Sequence, residues 1–130
     1  AAPLVFNRPC PNPETIATAI RIGNPVSAHL ARAAVSESNG EFNSVSDEEI
    51  LGAQKILASE GGVFAEPASC APLAGLIKLK SLGKLPEGIT VTMILTGNGL
   101  KDPDTAMSQV GNPIEINDTL EDLMKVLKSK

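Results

Sequence analysis

The chain has 130 residues, 42% of them hydrophobic and 20% charged, which suits one modest domain, or a piece of a larger one, with a core of Ala, Ile, Leu and Val. Fifteen acidic against eleven basic side chains give a net charge of −4 with no dense Lys/Arg block, and three scattered Phe without Tyr or Trp make no stacking platform, which excludes nucleic acid as a partner. No apolar run approaches the ~20 residues needed to cross a bilayer, and AAPLVFNRPCPNP lacks the charged start and long apolar middle of a signal peptide, so the expectation is a cytoplasmic protein with no membrane partner.

In chain order, NPETIATAIRIGNP predicts a first helix, with Asn12 as cap, Pro13 at the first helical position, Glu14 in the first turn and Ile16, Ala19 and Ile20 at helical spacing. Gly23 and Pro25 end it. A second helix of small residues is expected from Val26 or Ser27 to Ser36, with Asn39-Gly40 as the turn beyond. Glu41 to Ser46 reads as a short strand. Ser46 with Glu49 three residues on is the capping-box pattern, opening an amphipathic helix that turns Ile50, Leu51, Ala53, Ile56 and Leu57 to a core and stops at Gly61-Gly62. A brief extended piece, Val63 to Ala65, leads to Pro67 near the start of a helix reaching about Leu82, with Pro72 blurring its early boundary. ITVTMIL, Ile89 to Leu95, is the strongest strand signal: aliphatic, β-branched and uncharged, as for a strand covered on both faces. After a glycine turn and a Pro/Asp-rich loop, PIEIN reads as a last short strand, and Asp118 as the cap of a C-terminal helix with acids first and lysines last.

Helices alternating with short apolar strands predict an α/β fold with a mainly parallel sheet. One strong strand and a few weak ones make a poor sheet alone, so further strands are expected elsewhere in a longer polypeptide. The opening AAPLVF, without an initiator Met, points the same way.

The chemistry concentrates in LTGNGLKDPD, Leu95 to Asp104. In open α/β sheets ligands sit at the carboxyl ends of strands, and Thr96 follows ITVTMIL there. Its hydroxyl donates or accepts a hydrogen bond, and Gly97 and Gly99 allow a sharp turn and the approach of a flat ligand. On pattern alone T-G-x-G reads first as a plain turn ending a strand, since it occurs in many turns and lacks the full phosphate fingerprint. Arg21 reads as a solvated side chain, or one paired with an acid such as Glu14 or Glu66, before a phosphate ligand, Glu66 as lining the site or, more simply, capping the helix that follows, Lys101 and Asp102 as loop-holding residues, and His29 as a helix-surface residue without a ligand partner. Cys10 and Cys70 sit in no C-x-x-C and beside no histidine at metal spacing; free thiols and no metal site are expected.

NPETIATAIRIGNP, SVSDEEI, GVFAEPASCAPLAGL and LTGNGLKDPDTA, in this order, resemble the C-terminal part of the threonine synthases, fold-type II pyridoxal-phosphate enzymes related to the tryptophan synthase β chain. The resemblance covers roughly Pro3 to Ala106. It implies that the chain is part, residues 1–130, of a three-layer, mainly parallel-sheet large domain, and that pyridoxal 5'-phosphate is the cofactor. By the same resemblance the Thr96 hydroxyl would face the pyridine nitrogen, moderating the electron sink where a carboxylate would maximise it, and Ala19 would lie against a ring face that only a small side chain admits. Ala28 stands where the family more often has an aromatic residue, and Cys70 where small residues are usual.

The family's Schiff-base lysine and its glycine-rich phosphate loop belong to sequence upstream of the region matched, and neither is visible here, so no catalytic residue is assigned. The implied reaction of the parent enzyme is the conversion of O-phospho-homoserine and water into threonine and phosphate. The 130 residues alone are expected to be inactive. The implied partners are that substrate, the N-terminal part of the same enzyme and further copies in a homo-oligomer. A threonine or serine dehydratase of the same fold, and a non-catalytic ligand-binding or assembly module, are the alternatives.

Overall fold

In the computed structural model, residues 2–129 are described. They form α1 (Ala2–Val5), a 3-10 turn at Thr18–Ile20, α2 (Ala28–Glu37), α3 (Asp47–Ser59), α4 (Pro67–Ser81), a second 3-10 turn at Gly99–Lys101, α5 (Pro103–Ser108) and α6 (Leu120–Lys128). None of these helices is long and apolar enough to cross a membrane.

The architecture rests on α3 packed against α4. Ser46 starts α3 as the sequence predicts: its hydroxyl accepts the Glu49 amide at 3.2 Å while the Glu49 carboxylate accepts the Ser46 amide at 2.7 Å. Lys78, near the end of α4, donates to the same carboxylate at 3.2 Å and to the Ser44 carbonyl at 3.0 Å, laying the start of α3 beside the end of α4. Pro67 occupies the first turn of α4, where its missing N–H costs nothing, and the helix continues through Pro72. Ile50, Ala53 and Leu57 of α3 are buried against Cys70 and Ala74 of α4 together with Ala17 and Ala65. Leu51 is only half-buried and Ile56 is exposed, so the buried stripe of α3 is narrower than the sequence pattern predicts.

Three expectations are corrected. The helix expected after Asn12 is a loop with a single 3-10 turn, because side chains take up the amides that would have begun the helix. Asp47 accepts the Thr15 hydroxyl at 2.5 Å and the Ile16 amide at 3.1 Å, and Thr15 Oγ1 accepts the Ala17 amide at 3.1 Å. The Cys10 amide then donates to the Gly23 carbonyl at 2.8 Å, closing the loop at a point where any Cβ on residue 23 would collide with the Cys10 carbonyl.

The second correction concerns the sheet. Residues 41–46, 89–95 and 113–117 form no ladder, and among the described residues the one β-bridge is antiparallel, Ala65 to Asn98. Strands exist by pairing, and Ile89, Val91 and Ile94 stay exposed with no ladder partner among the described residues. Asp118 is also displaced as a cap: Thr119 begins α6 and accepts the Asp122 amide at 3.3 Å.

Candidate functional site

Two arms meet the N-terminal half of α4. The first is the Thr18–Ile20 turn, which packs on α4. Ala17 before it is fully buried, whereas Ala19 is exposed on the turn. Arg21 folds back and donates from Nε to the Thr15 carbonyl at 2.9 Å, so it braces this loop rather than pairing with Glu14 or Glu66. Asp47, at the start of α3, clips the same loop from below through Thr15 and Ile16.

The second arm is Thr96 to Lys101. The Glu66 amide donates to the Gly97 carbonyl at 3.1 Å and the Gly99 amide to the Phe64 carbonyl at 3.0 Å, so this segment is sewn to the residues leading into α4. Gly97 and Gly99 are both buried, and a Cβ on Gly97 would overlap the Glu66 carboxylate while one on Gly99 would overlap the Phe64 ring. Close approach, not a left-handed backbone, requires glycine at both places. Asn98 Oδ1 caps the short turn by accepting the Leu100 amide at 2.9 Å, and Asp102 Oδ1 caps α5 by accepting the Thr105 amide at 3.3 Å. Asp102 thus holds the loop, as its position suggests, while the Lys101 side chain is exposed and makes no ion pair or side-chain hydrogen bond among the described residues.

Ser69 joins this arm to α4. Its Oγ accepts the Gly97 amide at 2.7 Å and lies 3.0 Å from Thr96 Oγ1. Ser69 is buried and Thr96 is an exposed residue, so the Thr96 hydroxyl is held by a partner from the core side. Gln54 of α3 steadies the same corner, donating to the Ala65 carbonyl at 2.8 Å and accepting from Gln109. Ser69 and Gln54 carry no recognisable motif: their partners lie 28 and 11 residues away, and only the fold brings them together.

Glu66 precedes α4 but makes no capping bond; its side chain is instead buried against Gly97, which corrects the expected cap role. Cys70 is fully buried, and burial first, the Glu66 charge second, push its thiol above the usual cysteine range. His29 is exposed on α2. Among the described residues no group of three or more His, Cys, Asp or Glu is gathered as for a metal. An open cleft of about 1030 Å³ lies between the Thr15–Ile22 loop and the small-residue face of α4, lined by Ile20, Ile50, Ala68, Ala71 and Gly75 among others, and does not include Thr96.

Residues 4–97, a stretch that reaches from α1 through Thr96 and Gly97, match the pyridoxal-phosphate dependent enzyme family. The chain belongs to that family. Curated relatives within it include a threonine synthase of Halalkalibacterium halodurans, 58% identical over 85% of this chain, and one of Synechocystis sp., 56% identical over 88%. A threonine synthase of Methanocaldococcus jannaschii is 49% identical over 92%. The chain spans 31%, 30% and 30% of the lengths of these three relatives.

The Thr96 arm has chemistry that part of such a cofactor could use. A neutral hydroxyl on an exposed residue, bonded to buried Ser69, suits a heteroaromatic nitrogen, while the space beside Gly97 and Gly99 is taken by the Glu66 carboxylate and the Phe64 ring rather than left to a flat ligand. A lysine in the family's motif and a glycine-rich phosphate nest are not among the residues of this sequence.

Proposed function

We propose that this chain, residues 1–130, is the C-terminal part of the large domain of a threonine synthase of fold type II, a cytoplasmic, homo-oligomeric enzyme that converts O-phospho-homoserine and water into threonine and phosphate. The observation that carries the proposal is the 58% identity to a threonine synthase over 85% of the chain. The uncovered length of the relatives leaves room for the lysine, the phosphate loop and the remaining strands of a three-layer, mainly parallel sheet. The unpaired, largely exposed Ile89–Leu95 segment is the part of this chain that would join such a sheet, and the apolar cleft on α4 is where neighbouring strands would pack.

When bound, pyridoxal phosphate supplies an electron sink for negative charge developing on the substrate carbons. This chain's residues set that sink's strength and position. Thr96 would present its hydroxyl to the pyridine nitrogen; a neutral donor does not hold that nitrogen protonated as a carboxylate would. Ala19 would lie against the ring face, where a larger side chain would block entry. Asp47 holds the Ala19 loop and Ser69 holds Thr96. With the lysine and phosphate nest supplied from upstream, the isolated chain is inactive.

The test is phosphate release from O-phospho-homoserine by the complete polypeptide, with threonine as the co-product. Ammonia and a keto acid released from threonine or serine, without phosphate release from O-phospho-homoserine, would make it a dehydratase and overturn the proposal.

A further inference from the structure

Ser69 is 1% exposed and has two side-chain hydrogen-bond partners, the Gly97 amide at 2.7 Å and Thr96 Oγ1 at 3.0 Å. A hydroxyl carries one proton and two lone pairs. The Gly97 N–H can only donate, so it takes a lone pair of Ser69. If Thr96 also donated to Ser69, the Ser69 proton would be buried with no acceptor, which native structures avoid. The satisfied arrangement therefore runs one way: Gly97 N–H to Ser69 Oγ, and Ser69 O–H to Thr96 Oγ1. Thr96, an exposed residue, then keeps its own proton uncommitted to Ser69 and free for another acceptor. Accepting from Ser69 also polarises the Thr96 hydroxyl and strengthens it as a donor.

We propose that Ser69 is a positioning residue that fixes the direction of the Thr96 hydroxyl, so that Thr96 offers the heteroaromatic nitrogen a proton to accept rather than a lone pair. The inference rests on the reading of Thr96 as the residue facing the pyridine nitrogen. It adds that the unprotonated state of that nitrogen is set from a buried residue that never touches it. Without Ser69, the Thr96 hydroxyl is free to turn and accept a hydrogen bond from a protonated nitrogen. Glu66, packed against Gly97 beside Thr96, is the same in every variant below.

The experiment loads the complete polypeptide with pyridoxal phosphate labelled with ¹⁵N in the ring and records the ring-nitrogen chemical shift at one fixed pH, beside cofactor affinity. The parent protein and Ser69→Thr, which keeps the hydroxyl, give the position of an unprotonated nitrogen; Ser69→Ala moves it toward the protonated position. If Ser69→Ala is insoluble, Ser69→Cys replaces it: a weaker donor gives a smaller move in the same direction. An unmoved resonance in the Ser69 variant, with Thr96→Val shifting it, overturns the proposal and leaves Thr96 in place. Indifference to Thr96→Val as well sinks the Thr96 reading itself, and the proposal with it.

Discussion

The Glu66 carboxylate occupies the space into which a side chain on residue 97 would project, and the amide of Glu66 is bonded to the Gly97 carbonyl at 3.1 Å. Glu66 is 6% exposed and cannot swing into solvent, whereas Phe64, which stands in the same relation to Gly99, is 41% exposed and can. Gly97→Ala should therefore cost about 1–3 kcal/mol through overpacking, and Gly99→Ala less. The measurement is urea unfolding of the complete polypeptide. A double change, Gly97→Ala with Glu66→Ala, should recover part of the loss; strict additivity would refute a direct clash between the two positions.

The capping box at α3 supplies a pH signature. Glu49 is held below the ordinary value of 4.5, first by the Ser46 amide and next by Lys78. A depressed carboxylate contributes stability that is full above its unfolded pKa and fades as pH falls through the folded one. Glu49→Gln should therefore flatten the loss of melting temperature on acidification below 4.5 and change little of the slope near neutrality. Ser46→Ala, which removes the reciprocal bond, should cost about 1 kcal/mol. A Glu49→Gln melting profile parallel to the parent's below that pH would contradict the assignment.

The two cysteines should behave differently. Cys10 is partly exposed, while Cys70 is fully buried with its thiol pushed up by burial and by the Glu66 charge, so little reactive thiolate forms there. In a disulfide-exchange time course with a coloured reagent, the Cys10→Ser variant should leave a thiol that reacts only as the protein unfolds. Rapid native-state labelling of Cys70 would show the α3–α4 core to be open.

Asp47 links the start of α3 to the loop that carries Ala19. Asp47→Ala removes two bonds to that loop, and bonds to charged groups contribute about 1.5–3 kcal/mol each. The α3 cap is Ser46, not Asp47, so the helix should persist while the loop loosens. Faster hydrogen exchange at Ile16 and Ala17, weaker cofactor binding and unchanged far-ultraviolet dichroism are the expected results. Unaltered exchange at both amides would mean the clip does not hold the loop.

These positions also show what a sequence discloses. The Ser46–Glu49 box and the Pro67 start were legible because their physics is local, three residues for the first and one backbone constraint for the second. The loop at Thr15 to Ile20 was not, because Asp47, 32 residues from Thr15, competes for amides that helical periodicity would assign to the backbone. The Ile89–Leu95 segment has the composition of a buried strand, yet pairing is a property of neighbours, and no described residue pairs with it. Thr96 stood out through its glycines and through family resemblance. Ser69 did not, since a serine in the first turn of a helix carries no signal until the fold brings Gly97 to it.

The most direct measurement is the separation between Thr96 Oγ1 and the pyridine nitrogen in a crystal structure of the complete, cofactor-loaded polypeptide. A hydrogen-bond distance of about 2.6–3.2 Å, with Ser69 behind Thr96, is the predicted result. A ring nitrogen met by a carboxylate, or a Thr96 hydroxyl turned away from the ring and out of bonding range, would contradict it.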